Sequence, residues 1–372
     1  MAKRKTPAQP ETRPRPTMRK IAAQAGVSPT TVAHVLNQTP GAYVAADTRQ
    51  RVLDAAAALG YQEALLSQSI KAPLRHLGMA VSDTEHPQLR ADAMEIFEGA
   101  RQEAFRHDYI TVLLPMTPEV RPNYSSSRGV QAIEQFHRTK LIDGFILDKS
   151  SFLNHAVRKL AASGVPIATV NGAPIRSGRS RVPVLSAIVD NHAGARLAVE
   201  HLTQLGHQRI ALLTRPWTSF PKQYRPYQVA QIIDGYRDAL HAAGLEFDSG
   251  LVTDADPWDR QITYDAVDRV LSLDPPPSAI FAADDAIALM AIHALSRRGL
   301  RVPQQMSVVG YGDWSQAARL CEPALTSVHA DLRRTGALAA RMLIRQLQGE
   351  VDIDPQVLVP PALRVRASTG RI

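Results

Sequence analysis

From Leu77 onward, short apolar runs rich in β-branched residues alternate with longer segments that carry apolar residues at helical spacing. Runs such as ITVLLP, GFILD and IATV are each followed by a stretch long enough for a helix. Strands that alternate with helices imply parallel sheets whose two faces are covered by the helices. The series restarts at SAIVD, which predicts two similar α/β lobes that follow one another along the chain.

A different pattern occupies the amino-terminal end, where two short alanine-rich segments are separated by Ala-Gly-Val-Ser. Thr17 is a good N-cap for the first helix, and Gly26 supplies a stop that tolerates positive φ. Ser28 caps the second helix, with Pro29 in its first turn. Because two helices of this length bury too little surface alone, Asp47 to Leu59 is predicted to form a third helix that completes a bundle.

Charge is concentrated in the same region. Residues 1–76 contain eleven Lys or Arg residues and four Asp or Glu residues, an excess of +7 out of +8 for the whole chain. Such asymmetry favours a polyanionic partner, since each phosphate neutralised there would release counterions. A basic tail that only aids solubility is the alternative. Residues 1–16 are predicted to form a disordered basic tail.

The helix, tight turn and helix predict a DNA-binding unit, in which the second helix enters the major groove. A bundle with a purely structural role is the alternative. The outward positions of the second helix would face base edges: Pro29, Thr30, Thr31, Ala33 and His34. Contacts from its ends and from the flanking helices are expected at Thr17, Arg19, Lys20, Ser28, Asn37, Arg49 and Arg51.

Taken together, AGVSPTTVAHVLN and TRQRVLDAAAALGY resemble the headpiece of the lac-repressor and gal-repressor family of bacterial transcription regulators. VDNHAGARLAVEHLTQLGHQRIALL, FAADDAIALMAIHAL and PALTSVHAD resemble matching core segments, so the resemblance covers residue 17 to about residue 366. It implies an all-α helix-turn-helix headpiece followed by an α/β two-lobe core like that of periplasmic binding proteins. A homodimer that represses transcription at a near-palindromic operator, controlled by a small-molecule effector, is the implied function.

The resemblance also implies domain bounds. The headpiece would span residues 17–61, and residues 62–75 would form a hinge helix that inserts Ile70 into the minor groove; a plain linker is the alternative there. The effector-binding and dimerisation domain would span residues 76–366. Its expected partition is an N-lobe of residues 76–172 plus 304–330 and a C-lobe of residues 176–301 plus 331–366.

Effector choice is implied by the positions that sugar-binding members use. This chain has Asn171 and Gly312 where those members place aspartates, Ile232 where they place an arginine, and Asp284 where they place an asparagine. Trp258 retains an aromatic that would stack on the ligand. Because an isoleucine supplies none of the donors of an arginine, the usual sugar clamp is absent.

The loop at residues 215–228 offers further contacts in Trp217 and Arg225. One hypothesis is an anionic or aromatic, non-sugar effector held by this loop together with Trp258. A solvated surface loop over a pocket that binds nothing is the alternative.

Other function classes have little support in the sequence. No phosphate-binding loop, dinucleotide-binding glycine motif or H-E-x-x-H is present, and Cys321 is the lone cysteine, so no enzyme activity, cofactor or metal site is predicted. No apolar run approaches the roughly 18 residues of a membrane span. We therefore expect a cytoplasmic protein without a membrane partner. A solute-binding protein of a transport system, which shares the two-lobe plan, is the alternative function.

Overall fold

The computed structural model describes residues 17–36, 44–59, 75–82, 87–116, 127–148, 154–172, 175, 183–215, 227–313 and 316–372. The chain divides into two compact units at Leu74 and Arg75. Each unit is described by itself. Among these residues, no helix is both long enough and apolar enough to cross a bilayer.

Three helices make up the described part of the first unit: α1 Met18–Ala25, α2 Pro29–Leu36 and α3 Ala46–Ala58. Gly26 ends α1 with a φ of 65°, as expected for a left-handed C-cap. The side chain of Thr17 makes no capping hydrogen bond, contrary to expectation; its backbone carbonyl instead accepts from the amides of Lys20 and Ile21. The bundle core is fully apolar, and its most buried members are Ile21, Val32, Val35, Leu36, Val52 and Ala56.

The second unit alternates strands and helices as expected. Its strands are β1 Arg75–Ser82, β2 Tyr109–Met116, β3 Gly144–Asp148, β4 Ile167–Val170, β5 Val184–Val189, β6 Ile210–Thr214, β7 Val252–Asp254, β8 Ala279–Ala282, β9 Ser307–Gly312, β10 Thr326–His329, β11 Gln356–Val359 and β12 Ala362–Arg364. Its helices are α4 Pro87–Arg106, α5 Ser127–Arg138, α6 Asn154–Ala162, α7 Asn191–Gln204, α8 Tyr227–Ala242, α9 Arg260–Leu271, α10 Asp285–Arg297, α11 Ala317–Leu320 and α12 Leu332–Leu347.

The strands form two six-stranded sheets, with orders β11-β5-β4-β3-β1-β2 and β12-β10-β9-β8-β6-β7. All recorded strand pairs are parallel except β10 with β12. We call the part built on the first sheet, residues 75–189 with 332–359, the first lobe. The second lobe comprises residues 190–331 with 360–372. The chain thus crosses between the lobes three times, near residues 190, 331 and 360.

This partition differs from the one expected from the sequence. The expected N-lobe included residues 304–330, but these contain β9 and β10, which pair with β8 and β12 in the second sheet. The expected C-lobe included residues 176–301 and 331–366, yet β5 pairs with β4 and β11 pairs with β5 in the first sheet. The sheet that a strand joins depends on which distant edge offers free backbone donors and acceptors, and a local pattern does not contain that information.

Helices α4 and α12 pack on the first sheet and contact each other through two glycines. A Cβ atom on Gly99 would overlap the carbonyl of Arg333, and one on Gly336 would overlap the carbonyl of Ile96. The two backbones therefore touch without an intervening side chain. Two ion pairs, Arg333 with Glu95 at 3.0 Å and Arg341 with Glu103 at 2.6 Å, span the same pair of helices.

Candidate functional site

Helix α2 presents one face to the bundle core and the other outward. Val32, Val35 and Leu36 are buried, whereas Pro29 and Thr30 are exposed. The remaining predicted contact residues of this helix are Thr31, Ala33 and His34, which are partly exposed. The outward face therefore offers hydroxyl, methyl and imidazole groups to a partner.

Ser28 has the capping role predicted for it. Its hydroxyl oxygen accepts from the Thr31 amide at 3.1 Å and lies 2.9 Å from the Thr31 hydroxyl. These bonds satisfy an amide that has no partner within the helix and fix the start of α2. The orientation of the outward face is thereby set by a local interaction.

The two helices that pack against α2 carry solvent-accessible cations. Arg19 and Lys20 of α1 are exposed, as is Thr17, and Arg49 of α3 is partly exposed. Arg51 has a different role, since its guanidinium donates to the Ala25 carbonyl at 3.4 Å and holds α3 against the end of α1. Two further predicted contacts, Asn37 and Ile70, lie outside the described residues.

A cavity of about 100 Å³ lies between the two lobes of the second unit, beyond the carboxyl ends of their strands. Open α/β sheets bind ligands at this edge. Residues from both lobes and from two of the three crossovers form its wall. They are Asp92, Asp148, Asn171, Ile188, Val189, Asn191, Thr214, Arg215, Gln228, Val229, Ile232, Ala283, Asp284, Tyr311, Ala330 and Leu332.

Of the effector residues predicted from the sequence, some line the cavity and others do not. Asn171, Ile232 and Asp284 line the cavity. Trp258 is 39% exposed and its ring lies 4.9 Å from the Arg215 guanidinium, which itself lines the cavity. Gly312, which was predicted to line the pocket, is buried at the end of β9 and is not part of the wall. Trp217 and Arg225 lie outside the described residues.

Gly312 has no side chain to reach the cavity, so the neighbouring Tyr311 forms the wall there. The Tyr311 hydroxyl donates to Asn191 Oδ1 at 2.8 Å, and the Asn191 amide donates to the Val189 carbonyl at 3.1 Å. This chain of hydrogen bonds braces the first crossover against the second sheet.

Arg215 and Asp284 form an ion pair in the second lobe. Asp284 caps α10 by accepting from the Ala286 amide at 2.9 Å, and its second oxygen accepts from Arg215 at 2.8 Å. The guanidinium that sugar-binding members place on a helix is replaced by Ile232, and an arginine at the end of β6 reaches the same cavity. This arginine is already paired within the protein.

Asp92 is not part of this ion pair, but it lies close enough for the charges of Arg215 and Asp284 to affect its pKa. Burial raises the pKa of Asp92 to about 8, with further increases from the Asp284 and Asp148 carboxylates and a partial decrease from Arg215. The buried Asp92 Oδ1 has no hydrogen-bond partner among the described residues. Thr214, which is fully buried across the cavity, likewise has a hydroxyl without a partner there.

The charges of the described wall bear on the anionic form of the effector expected from the sequence. Among the described lining residues, the two carboxylates of Asp148 and Asp284 outnumber a single guanidinium, and the raised pKa of Asp92 leaves that side chain protonated near pH 7. Such a surface attracts cations and repels anions. The described walls therefore disfavour an anionic effector.

Sequence reasoning missed Asp92, Asp148, Asn191, Thr214, Gln228 and Tyr311. Position relative to strand ends was the available signal, because Asp148 ends β3 and Thr214 ends β6. For Asp92, which lies inside α4, only the connection of that helix to the carboxyl end of β1 pointed to the cleft.

A second cluster of acids lies outside the cavity and is satisfied by the fold. Asp285, beside the lining residue Asp284, accepts from the Ser327 hydroxyl at 2.6 Å and the Asp313 amide at 2.7 Å. Burial raises its pKa to about 6. Both Asp313 oxygens accept from Arg366, at 2.8 and 3.0 Å. These partners give Asp285 and Asp313 a structural role.

The sequence itself shows similarity to known regulators. Residues 17–63 match the profile of bacterial regulatory proteins of the lacI family, and residues 199–369 match a periplasmic binding protein-like domain. The chain is 30% identical to the HTH-type transcriptional repressor PurR of Mannheimia succiniciproducens, over 96% of this chain and 99% of that protein. The chain belongs to the lacI family.

Solved structures of family members agree with the fold. A lac repressor dimer bound to operator and the anti-inducer ONPF is 26% identical, with a TM-score of 0.69 over 95% of this chain and 99% of that one. The regulator CelR in complex with cellobiose is 28% identical, with a TM-score of 0.64 over 95% of this chain and 100% of that one. The predicted fold, a helix-turn-helix region followed by a two-lobe core with parallel sheets, is confirmed.

Proposed function

We propose that this lacI-family protein represses transcription as a homodimer that reads a near-palindromic operator with α2 and responds to a small molecule in the interlobe cavity. The observation that carries the proposal is the two-faced burial of α2. One face anchors the helix in the bundle, and the outward face, bordered by Arg19 and Lys20, is open to a duplex. Such a regulator acts where the DNA is, in the cytoplasm.

The chemistry of the outward face indicates how bases would be read. Helix α2 contains no arginine or lysine, so the common bidentate contact to guanine cannot come from it. Thr30 and Thr31 supply hydroxyls that can contact any base edge, His34 supplies a donor or acceptor, and Ala33 supplies a methyl for thymine. Affinity would come mainly from the flanking cations, and sequence preference from these smaller groups.

Membership of the lacI family suggests roles for the remaining segments. Asn37 follows α2 and would add a polar contact. Residues 62–75 would form a hinge whose Ile70 enters the minor groove. A change of lobe closure on effector binding would alter hinge order and DNA affinity, and such coupling is typically about 1 to 3 kcal/mol in magnitude.

Binding of the full chain to DNA from its own promoter region tests the proposal. We expect affinity to fall steeply with salt concentration. Thr30→Ala is expected to reduce preference for the operator over scrambled DNA by about 1 kcal/mol or more. Arg19→Ala is expected to weaken both complexes together and to lower the salt slope by about 1.

Arg237→Ala is the matched control, because it removes the same charge from an exposed position on α8 of the core. Its DNA binding should equal that of the parent protein. If the parent protein fails to distinguish operator from scrambled DNA, or if a chain lacking residues 1–74 binds as well as the full chain, the proposal is overturned.

A further inference from the structure

The interlobe cavity contains two buried polar atoms that no described group satisfies, one in each lobe. The first is Oδ1 of Asp92, on α4 of the first lobe, and the second is the hydroxyl oxygen of the fully buried Thr214, at the end of β6 in the second lobe. Both residues line the same cavity. Buried oxygens without partners are costly, and a ligand that enters the cavity and reaches these atoms would offset that cost by donating hydrogen bonds to them.

The charged groups that act electrostatically on Asp92 determine which donor fits. They are the carboxylates of Asp148, Asp284 and Asp285 and the guanidinium of Arg215. Arg215 is engaged twice, by Asp284 at 2.8 Å and by the Trp258 ring at 4.9 Å. The field at Asp92 is therefore negative overall, and the nearest positive charge is committed elsewhere.

We infer that the effector of this regulator is a small organic cation, an amine or guanidine compound, whose N–H groups are bound by Asp92 of the first lobe and Thr214 of the second. This inference rests on the proposed function of the cavity as the effector site. A protonated nitrogen supplies several donors and a positive charge in one group, and it satisfies both lobes at once. A neutral ligand offers only the donors, and an anion would meet the carboxylates of Asp148 and Asp284.

Binding of such a cation is coupled to release of a proton. Burial and neighbouring carboxylates keep Asp92 protonated at neutral pH in the empty cavity, since its pKa is raised to about 8. A cation within hydrogen-bond distance stabilises the charged carboxylate and lowers that pKa. Binding near pH 7 should then release a proton to the buffer.

The test uses probes matched in size and differing in charge. One set is glucosamine, glucose and glucuronate; another is putrescine, butanediol and succinate; agmatine is added as a guanidine. Thermal shift with the full chain should show stabilisation by at least one cation and by neither its neutral nor its anionic counterpart. Calorimetry in buffers of different ionisation enthalpy should show proton release for that cation.

Two variants complete the experiment. Asp92→Asn keeps the shape of the side chain and is expected to weaken cation binding about tenfold or more and to abolish proton release. Asp352→Asn makes the same change at an exposed position and should leave binding and proton release unchanged. Circular dichroism establishes that both variants fold.

Stabilisation by neutral or anionic probes alone, stabilisation by no probe, or unchanged cation binding by Asp92→Asn would each overturn the inference. Operator binding by the same preparations is measured in parallel. Because DNA binding tests the headpiece and the probes test the cavity, failure of the inference is distinguishable from failure of the proposed function.

Discussion

Two groups of buried acids in the core, Asp285 with Asp313 and Asp92 with its neighbour Asp284, show how similar chemistry serves different purposes. Asp285 and Asp313 accept hydrogen bonds from Ser327, a backbone amide and Arg366, so their oxygens have partners within the second lobe. Asp92 lies in the cavity with an oxygen that has no described partner. A satisfied buried acid stabilises a fold, whereas an unsatisfied one at a cleft indicates a site for something outside the chain.

Removal of the cation from the satisfied cluster should have the largest effect. Arg366→Ala leaves the buried Asp313 carboxylate without its guanidinium, and we expect a loss of about 3 to 5 kcal/mol in the free energy of unfolding. Urea unfolding followed by circular dichroism measures it. Arg366→Lys keeps the charge and should lose less; equal losses in both variants would mean that the charge of Arg366 is unimportant.

Substitution of Asp92 should have the opposite effect and raise the free energy of unfolding at neutral and alkaline pH. Its folded-state pKa of about 8 lies above its ordinary value of 3.8, so the folded protein holds a proton that the unfolded chain releases. Stability should therefore fall as pH rises from about 4 to about 8. Asp92→Asn removes this loss and should raise stability at pH 8 by an amount on the order of 5 kcal/mol.

Melting temperatures of the parent protein and Asp92→Asn across pH 4 to 8 check this directly. The two curves should meet near pH 4 and separate as pH rises. Parallel curves would show that Asp92 is ionised in the folded state at neutral pH and would remove the contrast between the two acid groups.

The smallest effect is expected at Thr214. Thr214→Val replaces a buried hydroxyl that has no described partner with a methyl group of similar size, so the free energy of unfolding should stay the same or rise by up to about 1 kcal/mol. Differential scanning calorimetry measures the change. A loss of more than about 1 kcal/mol would reveal a hydrogen bond at this oxygen.

Much of the fold could be predicted from local pattern. The alternation of strands and helices, the Ser28 cap and the Gly26 stop follow from residue types that favour one backbone geometry. The partition of the lobes could not, since β11 joins the first sheet by pairing with β5, which lies far away in the chain. Short-range preferences do not encode which sheet edge is free.

The site was predictable only where the residue at a family position has a side chain that reaches the cavity. Asn171, Ile232 and Asp284 do line the cavity. Gly312 does not, because a predicted position carries no contact when its residue lacks a side chain. The unusual environment of Asp92 depends on Asp148 and Asp284, which α4 approaches only in the folded core. Its charge state is a property of that tertiary arrangement.

The glycine contact between α4 and α12 has a mechanical consequence. No rotatable side chain lies between the helices at Gly99 and Gly336, so neither helix can shift there without displacing the other. Helix α12 begins directly after the chain leaves the second lobe, and α4 carries Asp92 near its start. The two helices therefore move together as one rigid unit. A ligand that displaces Asp92 would also displace the crossover segment near residue 331.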